Sequence, residues 1–127
     1  MSKYILEDLD VYNLSNDIAD EVWQIVAGWS FLAQDTIGKQ MIRSSDSIAA
    51  NIAEGYGRYF FKENRQFCFY ARGSILETKT WIGKAGRRNL ISGERSAELI
   101  TKLETVHAKL NGYMKYIGKK AVSEPVN

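Results

Sequence analysis

The only proline in the chain is Pro125, the third residue from the C-terminus. A proline-free run of 124 residues removes the commonest helix breaker and leaves long helices as the natural fold elements. Strand-type alternation is hard to find in it, and apolar residues instead recur at helical spacing. Four such segments can be read. The first spans about Leu9 to Trp29, with Val11, Leu14, Ile18, Val22, Ile25 and Trp29 on one stripe and Asp8 or Asp10 as candidate N-cap. The second spans about Gln34 to Tyr56, on Ile37, Met41, Ile48 and Ile52, with Gly55 and Gly57 as a stop. The third spans about Phe61 to Arg88, on Phe61, Cys68, Ile75 and Ile82. The fourth spans about Gly93 to Ile117, capped by Ser92, on Leu99, Leu103, Val106, Leu110, Tyr113 and Ile117.

Short connections between helices of similar length make neighbours antiparallel. The expected fold is therefore all-α, a single up-down-up-down antiparallel four-helix bundle over residues 1–127, with 118–127 as a frayed tail. Second apolar stripes run beside the first: Tyr12, Ala19 and Val26; Phe60, Phe67 and Trp81; Ile100 and Met114. They exceed what one small bundle is expected to hide and point to self-association into a closed ring. Gly73, in the middle of the third helix, costs about 1 kcal/mol relative to alanine and suggests a close approach by a neighbour.

Several function classes lack their residues. One histidine, His107, and one cysteine, Cys68, cannot build a zinc centre or a serine hydrolase triad of the usual kind. Ser44, Ser45 and Ser47 have no histidine within helical reach. Glu104 and His107 make a single Glu-x-x-His, where a di-metal bundle needs two. Cys68, on the inner stripe, reads as a small buried hydrophobe. The reading is a non-enzyme without metal or cofactor. No stretch of 18 apolar residues exists, the N-terminus turns acidic at once, and an unpaired cysteine suits a reducing compartment; a cytoplasmic location without membrane contact is expected.

The formal net charge of +2 hides a polarity. Residues 1–36 carry one basic and seven acidic side chains, whereas residues 37–90 carry ten basic and four acidic. Arg58, Arg65, Arg72 and Lys79 recur every seven residues along the third helix, and Lys62 lies one turn from Arg58. Such a row can grip phosphates, Tyr59 and Tyr70 can add stacking, and Arg87 and Arg88 extend it. A solvated face, or ion pairs with the acidic first helix, explains the same row. The densest polar cluster contains Arg43, Asp46, Asn51 and Glu54. An antiparallel hairpin closed between Tyr56 and Phe61 sets Asp46 opposite Arg72, Arg43 opposite Glu77, and Glu54 near Arg65 or Asn64. That is a structural network of opposite charges rather than an active site.

The run Arg43-Ser-Ser-Asp-Ser-Ile-Ala-Ala-Asn51-Ile-Ala-Glu54-Gly55-Tyr-Gly-Arg58 resembles the signature of the 23S ribosomal RNA intervening-sequence protein family. Phe69-Tyr-Ala-Arg72-Gly73-Ser74-Ile-Leu-Glu77 resembles its second block, and Tyr4 through Ala19 its opening, so the resemblance covers about residues 4–118. It implies a four-helix bundle assembled into a ring, a pentamer. Related bundles are accessory proteins of diversity-generating retroelements, where they bind a reverse transcriptase and nucleic acid. Two functions follow as expectations: an oligomer binding RNA or another nucleic acid through Arg58, Lys62, Arg65, Arg72, Lys79, Arg87 and Arg88, or a structural module whose ring docks a partner protein such as a reverse transcriptase.

Overall fold

The computed structural model describes residues 4–125, and among these every regular element is helical. A 3-10 turn at Leu6–Asp8 leads into α1, Asp10–Ala27. A single α-turn, Phe31–Ala33, and a π-helical turn, Gln34–Gly38, run without a break into α2, Lys39–Tyr56. Helix α3 is Phe61–Arg87 and α4 is Gly93–Val122. Ser92 caps α4 as expected, accepting a hydrogen bond from Arg95 N. The N-cap of α1 is Leu9, without a side-chain cap, and Asp10 sits in the first turn. Gly57 ends α2 as expected, in a right-handed conformation (φ −76°).

Contacts between helices run in opposite directions along the chain and make each neighbouring pair antiparallel. On α2 and α3, Thr78 Oγ1 donates to Ser44 Oγ at 2.9 Å, Ser47 Oγ to Ser74 Oγ at 2.8 Å, and Gly55 lies against Asn64. On α1 and α4, Glu21 takes Arg95 at 3.2 Å and Lys102 at 2.7 Å, while Asp10 meets Lys109 at 3.7 Å. All four helices contribute to one apolar core that includes Val22, Met41, Ile48, Ile75, Ile82, Leu103 and Leu110. Cys68 is fully buried there, and burial pushes its thiol up to about 12, so it stays protonated and inert.

A bond set at one end of the bundle holds Tyr4 against α2 and α4. Tyr4 packs against Tyr56 and Tyr113, Tyr56 Oη donates to Tyr4 O at 2.7 Å, and the Tyr4 and Tyr113 hydroxyls share a short hydrogen bond. Asn64 Nδ2 donates to the same Tyr113 hydroxyl at 3.2 Å. The expected frayed tail is not what forms from residue 118 onward. Helix α4 continues through Gly118 to Val122, and Glu124 then folds back onto the first turn of α3. Its carboxylate accepts from Phe61 N and Lys62 N, amides that a helix start leaves without intrahelical partners. Residues 126–127 lie outside the described residues.

The charge network expected between α2 and α3 does not form. Arg43 and Asp46 are exposed and make no ion pair among the described residues. Glu54 pairs with Arg58 at 3.3 Å along the chain, Asn51 Nδ2 donates to Ser47 O, and Glu77 accepts from Trp81 Nε1 one turn along α3. The register explains this. Ser44, Ser47, Ile48 and Gly55 form the face that meets α3, and at ~100° per residue Arg43 and Asp46 both turn away from it. Asp46 turns toward α1. Partial burial, with the Asp20 carboxylate adding to it, raises its pKa. Hydroxyls can be buried against each other at far lower cost than charges, and this seam uses them.

The second stripes are also mostly absorbed within the chain. Ala19, Val26 and Met114 are buried, and Tyr12, Trp81 and Ile100 pack half-buried on the core. A bundle of long helices covers two stripes because each helix touches two neighbours. The apolar side chains left in water are others. Trp23, Phe31 and Leu32, at 58%, 78% and 74% exposed, lie at the end where α1 gives way to α2. Phe69 and Leu76 stand on the outside of α3, with Gly73 between them, where an added Cβ would meet nothing within 4 Å.

Candidate functional site

The heptad row on α3 faces α4, and α4 answers it with its own heptad row, Glu104, Asn111 and Gly118. Lys79 pairs with Glu104 at 3.7 Å. Arg72 Nη1 donates to Asn111 Oδ1 at 3.3 Å. Arg65 lies over Gly118, where an added Cβ would sit 3.4 Å from its Nε. The answering row therefore reads acid, amide, nothing. Charge on α3 is neutralised toward Lys79 and left standing toward Arg65.

Lys62, Arg65 and Arg72 form no ion pair among the described residues. The guanidinium groups of Arg65 and Arg72 lie over the Phe69 ring from either side in sequence, at 5.3 and 4.9 Å from its centroid. Such contacts hold a guanidinium in place without cancelling its charge. Arg58 covers Phe67 at 4.6 Å, though its partner Glu54 offsets it. Of the two tyrosines, Tyr59, 85% exposed, shares a cleft with Arg58 and Lys120, whereas Tyr70 meets Phe67 and lies on the side of α3 away from Arg65 and Arg72.

Not all seven basic residues singled out in the sequence come together. Arg87 and Arg88 are exposed at the far end of α3, roughly 40 Å from Arg58 at ~1.5 Å per residue. The structure brings others in. Lys120 lines the same cleft as Arg58 and Tyr59, with its ammonium over the Tyr116 ring at 5.6 Å, and Lys119 shares the last turn of α4. The sequence signal for them is the Lys119-Lys120 pair itself, which falls in the segment expected to fray. Their position is legible only once α4 is known to continue and return beside the start of α3.

Other candidates lead elsewhere. Glu104 is engaged with Lys79 rather than aimed with His107 at a shared point. Among the described residues, no group of three or more His, Cys, Asp and Glu side chains is placed to hold a metal ion. The Ser44, Ser47, Ser74 and Thr78 hydroxyls are bonded to one another or to backbone carbonyls in the α2–α3 seam. No helix among the described residues is long and apolar enough to cross a membrane.

The sequence profile described as 23S rRNA-intervening sequence protein matches residues 7–112. The chain belongs to this family. The match takes in α1, α2, α3 and most of α4, and it ends before the Lys119–Lys120 turn and the Glu124 contact. Among solved structures, the chain is similar to a protein of unknown function from the S23 ribosomal protein family of Bacteroides thetaiotaomicron. The two are 22% identical, with a TM-score of 0.74 over 83% of this chain and 98% of that one. At that identity the likeness speaks for a shared helical fold. No curated protein matches the chain.

Proposed function

We propose that this member of the intervening-sequence family is a non-enzymatic, self-associating bundle protein that binds RNA or another nucleic acid through the Arg65 end of the α3–α4 face. The observation that carries the reading is the set of cations without acid partners among the described residues, Lys62, Arg65 and Arg72, two of them held over the Phe69 ring. Phosphates are the anions such a face recognises, and each neutralised phosphate releases counterions. The family's description names a 23S rRNA intervening sequence, which supports the reading by association alone. Lys79 and Arg58 contribute less than their place in the row suggests, because each has an acidic partner.

Self-association fits the charge polarity. An acidic α1 on one protomer and a basic α3 on the next make a heterologous contact, and such contacts form a ring when the rotation between protomers closes. The resemblance suggests five subunits. A ring repeats one weak patch around an axis and gains affinity by avidity. Light scattering at micromolar concentration is expected to find a closed oligomer; a monomer overturns this part. For binding, the test is a titration of labelled RNA at several salt concentrations. Affinity is expected to fall steeply as salt rises.

A second reading is that the protein docks a partner such as a reverse transcriptase. The exposed Trp23, Phe31 and Leu32, far from the basic end, favour it. Docking through apolar side chains predicts a shallow salt dependence, so the same titration performed on the partner complex separates the two.

A further inference from the structure

The end of the bundle that carries Arg58 holds a cleft of about 620 Å³. Tyr4, Tyr56, Tyr59 and Phe60 supply its aromatic lining, and Arg58 and Lys120 its cations. Tyr59 meets Phe60 edge-on at 4.7 Å and leaves 85% of the residue exposed. An exposed aromatic face beside cations is the arrangement on which an unstacked base packs.

The same cleft already shows where an anion sits. Glu124 places its two carboxylate oxygens on Phe61 N at 2.6 Å and Lys62 N at 3.0 Å. A phosphate presents the same pair of acceptors with more charge, and helix starts suit it. Lys120, in the lining, has no carboxylate partner among the described residues. The tail carboxylate therefore occupies the position that a backbone phosphate would take, next to the surface that a base would take.

We propose that this cleft takes one unstacked nucleotide of a single-stranded nucleic acid, its base on Tyr59 and its phosphate on the Phe61 and Lys62 amides in place of Glu124. The proposal rests on the nucleic-acid reading above and adds to it the strand state and an internal competitor. A duplex keeps its bases stacked inside and has no free face to offer the ring. Glu124 then acts as a built-in ligand mimic, which an incoming strand must displace.

The test is fluorescence anisotropy on the full chain with a labelled 12-nucleotide oligouridylate and, separately, a labelled 12-base-pair RNA duplex. Tyr59→Ala is expected to weaken single-strand binding roughly five- to 150-fold, the range for loss of one base–aromatic stack, while duplex binding holds. Tyr59→Phe keeps the ring and is expected to rescue the affinity. Glu124→Gln removes the competing charge and is expected to tighten single-strand binding severalfold. Thermal unfolding of each variant, run in parallel, guards against a folding effect. Unchanged single-strand affinity in both Tyr59→Ala and Glu124→Gln, with binding still weakened in Lys62→Ala/Arg65→Ala, overturns the cleft and leaves the basic face standing. Duplex binding as tight as single-strand binding also overturns it. No binding of either probe by the unaltered protein overturns the basic-face reading and the cleft together.

Discussion

Helix α3 presents two polar rows, and they are built on opposite terms. Toward α2 it offers Thr78, a hydroxyl buried against Ser44, and Ser74, half-buried against Ser47, each hydrogen-bonded across the seam. Toward α4 it offers Arg65, Arg72 and Lys79, of which only Lys79 meets an acid. A closed seam of hydroxyls can fix register and spacing but has nothing left to offer a ligand. A row of cations matched by an amide and a glycine keeps its charge available. The contrast teaches that polarity within a bundle is not itself a sign of function; what matters is whether the facing helix satisfies it.

The contrast breaks most sharply at glycine. On the α2 side, Gly55 is pressed so closely that an added Cβ would sit 2.5 Å from Asn64 Oδ1 and 2.9 Å from Asn64 O. Because one of those atoms is backbone, Gly55→Ala is expected to cost about 1–3 kcal/mol, read from denaturant unfolding. A loss below a few tenths would show that the seam can open freely. On the outer side, Gly73 has open space, so Gly73→Ala is expected to raise stability by up to about 1 kcal/mol through helix propensity. If a second protomer packs closely on this face, the same substitution instead shrinks the oligomer in light scattering, and its outcome locates the interface.

Smaller effects come from two carboxylates with opposite signs. Burial alone would raise the pKa of Glu21, but the hydrogen bonds from Lys102 and Arg95 outweigh it and hold the carboxyl below its usual 4.5. Its contribution is present at neutral pH and is lost as pH falls below that value. Glu21→Gln is expected to cost up to about 1 kcal/mol at pH 7, with the gap closing in acid. Asp46 is raised by burial and by Asp20, so the folded state holds its proton more tightly than the unfolded chain. Its stabilising effect exists at low pH and disappears as pH rises above 3.8. Asp46→Asn is expected to match the unaltered protein in acid and to exceed it by under about 0.5 kcal/mol at pH 7. Paired unfolding curves at pH 3.5 and pH 7 check both signs.

The helices are legible in the sequence because their apolar stripes are long and unbroken, and Ser92 announces its own cap. The network of Arg43, Asp46 and Glu77 is misplaced by sequence reasoning because a hairpin fixes which residues are level but not which way each points. A turn of ~100° per residue is enough to send Arg43 and Asp46 away from α3. The basic row is visible as a heptad. The sorting of that row is written in Glu104, Asn111 and Gly118, which share its spacing and can be read as its partners only once α3 and α4 are known to face each other. Nothing local marks Glu124 as a cap for α3, since the two meet through a return of the whole chain.

The protein's proposed role stands on phosphates being gripped at one end of α3. The most direct measurement compares Lys62→Ala/Arg65→Ala with Arg87→Ala/Arg88→Ala, both exposed pairs of equal charge, in RNA titrations across a range of salt. The first pair is expected to weaken binding of every sequence about equally and to make the plot of log affinity against log salt shallower by roughly 0.7–0.9 for each phosphate that is no longer neutralised. The second pair, at the far end, is expected to leave affinity and slope unchanged. Equal losses of affinity from both pairs, or losses confined to Arg87 and Arg88, would contradict it.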